Sequence, residues 1–387
     1  MGEWKEYRLD EVAEITSSKR IFYSEYVSEG IPFYRSKEII DLYNNRNIST
    51  ELFISENRYN EIKLKYGVPQ KDDILLTSVG SLGIPYLVKK SDKFYFKDGN
   101  LTWIRNINKN IILPQYLILW ICSNIGKQKL DEVTIGSTQP ALTISGLKTI
   151  EIVLPSIEEQ KRITSVISSL DDKIDLLLQE NKTLEAMAET LFRKWFIEEV
   201  RQEVLLGDVV ETTSGGTPSR KNEQYYQNGT IDWVKSKELN RSFLLKTEEK
   251  ITVEAVENSS AKFLPANSVL IAMYGATVGE YSIIAKEMTC NQAICALKPN
   301  NNYPYTYLYL WTKFMQDEFL NLACGAAQQN ISQVLIKQQQ VCSDVNAVKQ
   351  FHSIVEPFFE KLKENEMQLS SLEDMKNVIL PKLINNE

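Results

Sequence analysis

The chain is 387 residues long, 43% hydrophobic and 25% charged, with a formal net charge of −7 and a single histidine. That length allows two or three domains with sizeable cores, and one histidine, His352, cannot build a Ser-His-Asp triad or a multi-histidine metal site. The start of the chain lacks an apolar signal region and no apolar run approaches membrane-spanning length, so the expectation is a cytoplasmic protein with no membrane partner.

The cysteines Cys122, Cys290, Cys295, Cys324 and Cys342 show no metal-ligand spacing, and their odd number fits reduced thiols. Cys290 and Cys295 read as small buried apolar residues. The acidity is unevenly distributed. Residues 1–150 carry 20 Lys/Arg against 18 Asp/Glu and residues 201–342 carry 13 against 14, while residues 155–200 carry 6 against 10 and residues 343–387 carry 5 against 8. The near-neutral globular parts could read nucleic acid but lack the basic excess for strong sequence-independent phosphate binding, which a partner would have to supply.

In chain order, the opening segment Trp4 to Ile15 is followed by Ser17-Ser18-Lys19-Arg20, then Ile31 to Ile39 containing Ser36-Lys37-Glu38. Asp73 to Gly83 reads as a strand entering a tight turn at Gly80, with Ser78 and Ser81 beside it. Asp72 and Asp73 read as a solvated turn before that strand. Leu113 to Leu130 reads as helical, Gly136 to Pro140 as a polar loop containing Gln139, and Ile150 to Leu154 as a last strand.

The series then recurs. Val204 to Thr212 answers the opening, Ile231 to Leu239 returns Ser236-Lys237-Glu238, and Ser268 to Gly279 repeats the strand and turn with Tyr274, Gly275 and Thr277. Asn291 answers Asn100, Trp311 answers Trp120, Tyr303 to Leu322 reads as helical, and Gly325 to Asn330, with Gln328 and Gln329, answers the polar loop. Ordered matches at offsets of about 190 to 200 residues indicate a duplicated unit. Each is expected to be an α+β domain with a substantial twisted or barrel-like sheet. The divisions follow as 1–154 for the first domain, 155–200 for a central helix, 201–342 for the second domain and 343–387 for a C-terminal helix.

Both helices carry a heptad seam. In the first, Ile163, Leu170, Leu177, Leu184 and Leu191 form one series and Ile167, Ile174, Asn181, Ala188 and Trp195 the other, after a Ser156/Glu159 capping box. In the second the series are Phe351, Phe358, Asn365, Leu372, Ile379 and Val355, Leu362, Leu369, Lys376, Leu383. Parallel pairing would leave two buried amides unpaired at roughly 1–3 kcal/mol each. Antiparallel pairing sets Asn181 opposite Asn365, Ala188 opposite Phe358 and Leu177 opposite Leu369, so an intramolecular antiparallel coiled coil with an Asn–Asn register pair is the expectation. The plainer alternative is two ordinary bundle helices. Pro357 within the second seam predicts a kink or a late start.

Catalytic signatures are missing: there is no G-x-x-x-x-G-K-[ST] loop, no G-x-G-x-x-G after a strand and no Asn/Asp-Pro-Pro-aromatic tetrad. His352 reads as an exposed or capping helix residue. Recognition has more support. The loop from Thr212 to Lys221, with Gly215, Gly216, Thr217, Ser219 and Arg220, has the hydroxyls, glycines and terminal charge that let backbone N–H groups and Arg220/Lys221 approach phosphates. Its counterpart, Ser17 to Arg20, keeps the hydroxyl-then-basic order. Arg35 and Lys37, with Lys235 and Lys237 at matching places, are candidates for base edges or phosphates, and Gln139, Gln328, Gln329 and Asn330 suit bidentate adenine contacts.

On these residues, together with Leu154-Pro155-Ser-Ile-Glu-Glu-Gln160 and the Gly215 to Ser219 loop, the whole chain resembles the specificity subunits of type I restriction–modification systems. The resemblance implies two target-recognition domains reading a split double-stranded DNA site, joined by antiparallel helices that also dock two methyltransferase subunits, with restriction/translocase subunits completing the complex. It implies no chemistry and no cofactor in this chain; S-adenosylmethionine, ATP and Mg would belong to the partners. From Ile163 to Trp195 the central helix would run roughly 48 Å at about 1.5 Å per residue, somewhat over one turn of B-DNA at roughly 34–36 Å. Two departures stand out. Residues 17–20 replace the usual glycine-proline loop, and Val341 to Val348 replaces the usual lead into the second helix, leaving its cap open. The competing reading is a non-catalytic duplicated-domain scaffold that binds proteins or glycans.

Overall fold

The computed structural model describes residues 4–44, 48, 50–199, 201–324 and 330–385. The chain forms two compact units, one of residues 1–172 with 373–387 and the other of residues 173–372, so both long helices are divided between them.

In the first unit, strands Glu14–Thr16, Leu101–Arg105, Ile74–Thr77 and Pro85–Leu87 lie in that order in an antiparallel sheet. A smaller sheet joins Tyr26–Val27, Phe53–Ile54, Ile31–Tyr34 and Tyr95–Phe96, the last pair parallel. The opening strand Lys5–Arg8 pairs with Glu151–Leu154 just before the central helix. The second unit repeats the plan. Its main sheet runs Glu211–Ser214, Ile294–Lys298, Val269–Ala272, Tyr281–Ile284, with Phe243–Leu244 added at the edge, and Glu203–Leu205 pairs with Gln340–Cys342 before the C-terminal helix. The internal repeat is thus a repeat of strand order, and the fold is α+β as expected.

The apolar runs Ile74–Thr77 and Val269–Ala272 are buried at every position, as the central strand of a covered sheet requires. Asp73 departs from the solvated turn expected of it: it is buried and its carboxylate accepts the Trp103 indole N–H at 2.9 Å. Burial pushes its carboxyl above the usual range. The stretch Leu113 to Leu130 is two helices, Pro114–Cys122 and Asn124–Glu132, because the backbone turns extended at Ser123, whose hydroxyl donates to the Trp120 carbonyl at 2.7 Å and caps the second helix by accepting the Gly126 N–H at 3.1 Å. Cys290 and Cys295 are buried free thiols. His352 is not a loose exposed residue; its Nδ1 meets the Thr306 hydroxyl at 2.9 Å and its Nε2 lies 3.4 Å from Glu356.

The central helix spans Ile157–Arg193 and the C-terminal helix Val345–Asn385. Ser156 caps the first by accepting the Glu159 N–H at 3.3 Å, and the Gln160 amide, fully buried, ties the helix start to the backbone of Ile111 and Leu113 at 2.9 Å each. The late start expected from Pro357 is not found. Asp344 caps the second helix through the Ala347 N–H at 3.1 Å, and the helix continues unbroken through Pro357, which is exposed, as is Ser353, the residue whose carbonyl loses its helical donor there.

Within the second unit the two helices carry the expected register pair. The Asn365 amide donates to Asn181 Oδ1 at 2.8 Å and to Glu180 at 2.9 Å, and Asn181 donates to Glu366 at 3.1 Å. Phe359 is fully buried in the core that also holds Ala188, while the seam residue Phe358 is half-buried and packs against the same core; Phe359 lies edge-on to Tyr305 and Tyr309, with ring centroids 5.9 and 5.4 Å away. The seam drifts because a straight helix turns every 3.6 residues and globular side chains, not only the other helix, cover it. Phe192 enters the same core against Tyr307, Phe314 and Phe351. In the first unit, the seam residue Lys376 pairs with Asp171, and Leu380, Leu383 and Ile384 join the domain core.

Candidate nucleic-acid interface

Both Ser-Lys-Glu segments are capped turns. The carboxylate of Glu38 accepts the Arg35 N–H at 2.7 Å and that of Glu238 accepts the Lys235 N–H at 2.7 Å. Both glutamates are buried, so the motif recurs first as a structural fixture that presents the flanking cations. Arg35 is folded back on Glu38 at 2.9 Å. That hydrogen bond holds the guanidinium pKa up, and although burial alone would raise the Glu38 carboxyl, the Arg35 bonds keep it below its usual range.

In the first unit these parts converge on one carbonyl. Asn100 O accepts the Ser78 N–H at 2.8 Å and the Ser36 hydroxyl at 3.4 Å. The turn at Gly80 is exposed, with φ +82° and nothing near the place a Cβ would take. Ser81 is exposed beside it, whereas Ser78 is buried and bonded to Thr102 at 2.7 Å, out of reach of a ligand. The neighbouring loop is held by a bridge from Val79 to Ala141, and Gln139 on it is exposed. Residues 17–20 run along the same edge. The Ser17 hydroxyl bonds Leu101 O at 3.3 Å, the Lys19 N–H bonds the Tyr95 hydroxyl at 2.6 Å, and Arg20 pairs with Asp98 at 2.9 Å. Ser18 is half-buried, and the Lys19 ammonium lies 4.9 Å from the Tyr66 ring centre. Phe22 and Tyr23 follow, 62% and 89% exposed. The sequence reading missed them; two aromatics directly after Lys-Arg in a polar segment were the available signal.

The second unit assembles the corresponding parts. The Asn291 N–H bonds Val234 O at 2.9 Å, linking the strand before Lys235 to the turn that carries Gln292, and Gln292 accepts the Thr217 hydroxyl. Gly275 is exposed at φ +69° with open space above it, Tyr274 is 41% exposed and bridged to Asn330, and the Thr277 hydroxyl is spent on Tyr274 O at 3.2 Å. Ser236 is half-buried, and Ser219 and Lys221 are exposed. Gln328 and Gln329 lie outside the described residues.

The glycine loop works differently from its expectation. Gly215 and Gly216 are buried, and a Cβ on them would lie 2.0 Å from Cys290 O and 2.2 Å from Ser260 Oγ. The Gly216 N–H is spent on Cys290 O at 2.9 Å and its carbonyl accepts the Trp233 indole at 3.0 Å. These glycines permit close packing instead of cradling phosphate. Arg220 and Lys235 do come together, with Glu249 between them, and Lys237 pairs with Glu248 at 2.6 Å. Glu248 and Glu249 were not singled out from sequence, where an adjacent pair reads as solvated surface.

Among the described residues no group of His, Cys, Asp and Glu could hold a metal ion, and no helix is long and apolar enough to cross a membrane. The family described as "Type I restriction modification DNA specificity domain" matches residues 1–186 and 199–342. The chain is 26% identical over 417 residues to the type I restriction enzyme MjaIX specificity subunit of Methanocaldococcus jannaschii, covering 100% of this chain and 93% of that one. It is 23% identical over 473 residues to the HindI specificity subunit of Haemophilus influenzae, covering both chains fully. A crystal structure of a type I restriction-modification S subunit from M. genitalium shares the fold, with a TM-score of 0.63 at 16% identity over 99% of this chain and 96% of that one. With two matching segments that account for most of its length, the chain belongs to the family of type I restriction–modification DNA specificity subunits.

Proposed function

We propose that the chain is the DNA-specificity subunit of a type I restriction–modification complex and reads a split double-stranded site, one half through each globular domain. The observation that carries this reading is the duplicated cluster. In each unit a basic segment, a capped Ser-Lys-Glu turn and an open glycine turn at the end of a buried strand meet at one edge. Exposed cations and amides there suit phosphates and major-groove base edges.

The chain itself performs no chemistry in this reading. Two methyltransferase subunits would dock on the long helices, bring S-adenosylmethionine and methylate the N6 of a flipped adenine in each half-site. Restriction/translocase subunits would bring ATP hydrolysis and Mg. Exposed apolar side chains on the helices, among them Leu176 at 59% and Met367 at 57%, give a partner something to cover. The test is single-molecule methylome sequencing of a host expressing this chain with its methyltransferase, against the methyltransferase alone. N6-methyladenine at a split motif only when the chain is present is the expected result. The same pattern without it, or none with it, overturns the reading in favour of a protein- or glycan-binding scaffold.

A further inference from the structure

Three cations of the second domain's candidate recognition edge, Arg220, Lys235 and Lys237, are paired with carboxylates of their own chain. Glu249 takes both terminal nitrogens of Arg220, one at 2.8 Å, and lies 3.3 Å from Lys235; Glu248 lies 2.6 Å from Lys237 and 3.4 Å from Lys235. The arrangement is held from both sides. The Arg220 guanidinium stacks 4.1 Å from the Tyr226 ring centre and 5.2 Å from that of Trp233, which fixes its fork toward Glu249. The acidic segment is anchored by its backbone, independently of those carboxylates: the Glu248 N–H bonds Glu238 at 2.7 Å and Glu249 O accepts the Thr247 hydroxyl at 2.7 Å. An arginine fork grips two carboxylate oxygens as it grips two phosphate oxygens. The Arg220 bond also draws the Glu249 carboxyl below its usual range, and the Lys237 bond does the same for Glu248.

We propose that Glu248 and Glu249 are specificity-determining residues that occupy the places of two DNA phosphates, holding Arg220, Lys235 and Lys237 nearly neutral and suppressing sequence-independent binding through this domain. The proposal rests on the recognition reading above. With both carboxylates in place the three cations present a net charge of one, so a duplex of any sequence gains little from them. Base contacts must supply the difference before phosphates replace the glutamates.

The test compares the full-length chain with E248Q/E249Q, which keeps side-chain size and a hydrogen-bonding oxygen, by binding to a non-target duplex from about 50 to 200 mM salt. Each phosphate gained steepens the slope of log affinity against log salt by about 0.9. The variant should be steeper by about 1.8, binding about tenfold more tightly at low salt and converging with the wild type as salt rises. Adding R220Q should take back about half of that change. An unchanged slope in a variant with wild-type melting behaviour overturns the proposal, as does a gain that R220Q leaves intact. A wild-type chain that directs methylation to a split site while sharing its slope with the variant overturns the counterion role alone. A chain that directs no site-specific methylation overturns the recognition reading, and this proposal with it.

Discussion

The basic loops of the two domains occupy matching places in the strand order and are built in opposite ways. In the first, residues 17–20 contain no glycine and go from half-buried Ser17 and Ser18 to exposed Lys19 and Arg20, tied by the Lys19 N–H and the Arg20–Asp98 pair, with Phe22 and Tyr23 standing out beyond them. In the second, Gly215 and Gly216 press the chain against Cys290 and Ser260, and the loop emerges only at Arg220, which an aromatic face and Glu249 hold in place. The difference shows that glycine content in such a loop reports how closely it packs on its own domain, not how many N–H groups it offers a ligand.

The largest effect that could break this comparison is in the glycines. Gly216→Ala should cost about 3 kcal/mol or more, because the added carbon would meet Ser260 Oγ at 2.2 Å and the Ser260 carbonyl carbon at 2.4 Å. Gly80→Ala, with open space but φ +82°, should cost about 1–2 kcal/mol from backbone strain alone. Urea unfolding of both variants decides it; equal losses would return the glycine loop to a ligand-binding role.

Next in size is the register pair. Asn181→Leu or Asn365→Leu alone should each cost about 1–3 kcal/mol by stranding the other amide. The double substitution should fall well short of the sum, since paired removal leaves no orphaned amide. Additive losses in a double-mutant cycle would mean that the amides act through Glu180 and Glu366 and not through each other.

Exposed aromatics should separate stability from binding. Phe22→Ala and Tyr23→Ala should leave the melting transition within about 0.5 kcal/mol of wild type and weaken duplex binding by roughly 0.5–1.5 kcal/mol, the ordinary value of one aromatic contact. A loss of stability without a loss of binding would move these residues into the fold.

The smallest effect is acid sensitivity. The Arg220 hydrogen bond depresses the Glu249 carboxyl, so the stability it contributes is present above the ordinary carboxylate pKa of about 4.3 and is lost as pH falls through the lowered value. Glu249→Gln should therefore lower stability slightly at neutral pH and, having no carboxyl left to protonate, reduce the further loss as pH falls below about 4.3. An acid limb identical to that of wild type would show that Glu249 does not engage Arg220 in solution.

Periodicity and repetition carried far in this protein. A seven-residue seam with one asparagine in each helix is local information, and the energy of an unpaired buried amide is enough to choose antiparallel pairing and the Asn181–Asn365 match before any coordinates are known. The ordered return of Ser-Lys-Glu, of a strand entering a glycine turn and of a closing helix likewise marked the duplication, because chain order is all that a repeat requires. Tertiary structure decided what depends on partners far apart in sequence: Arg220 meets a carboxylate 29 residues away, Asp73 is buried by Trp103, and Gly215 abuts Cys290. The deeper burial of Phe359 than of its seam neighbour Phe358 and the unbroken run of the helix through Pro357 have the same origin. Which face of a helix is covered is set by the domain packed on it, and no spacing along a single segment encodes that neighbour.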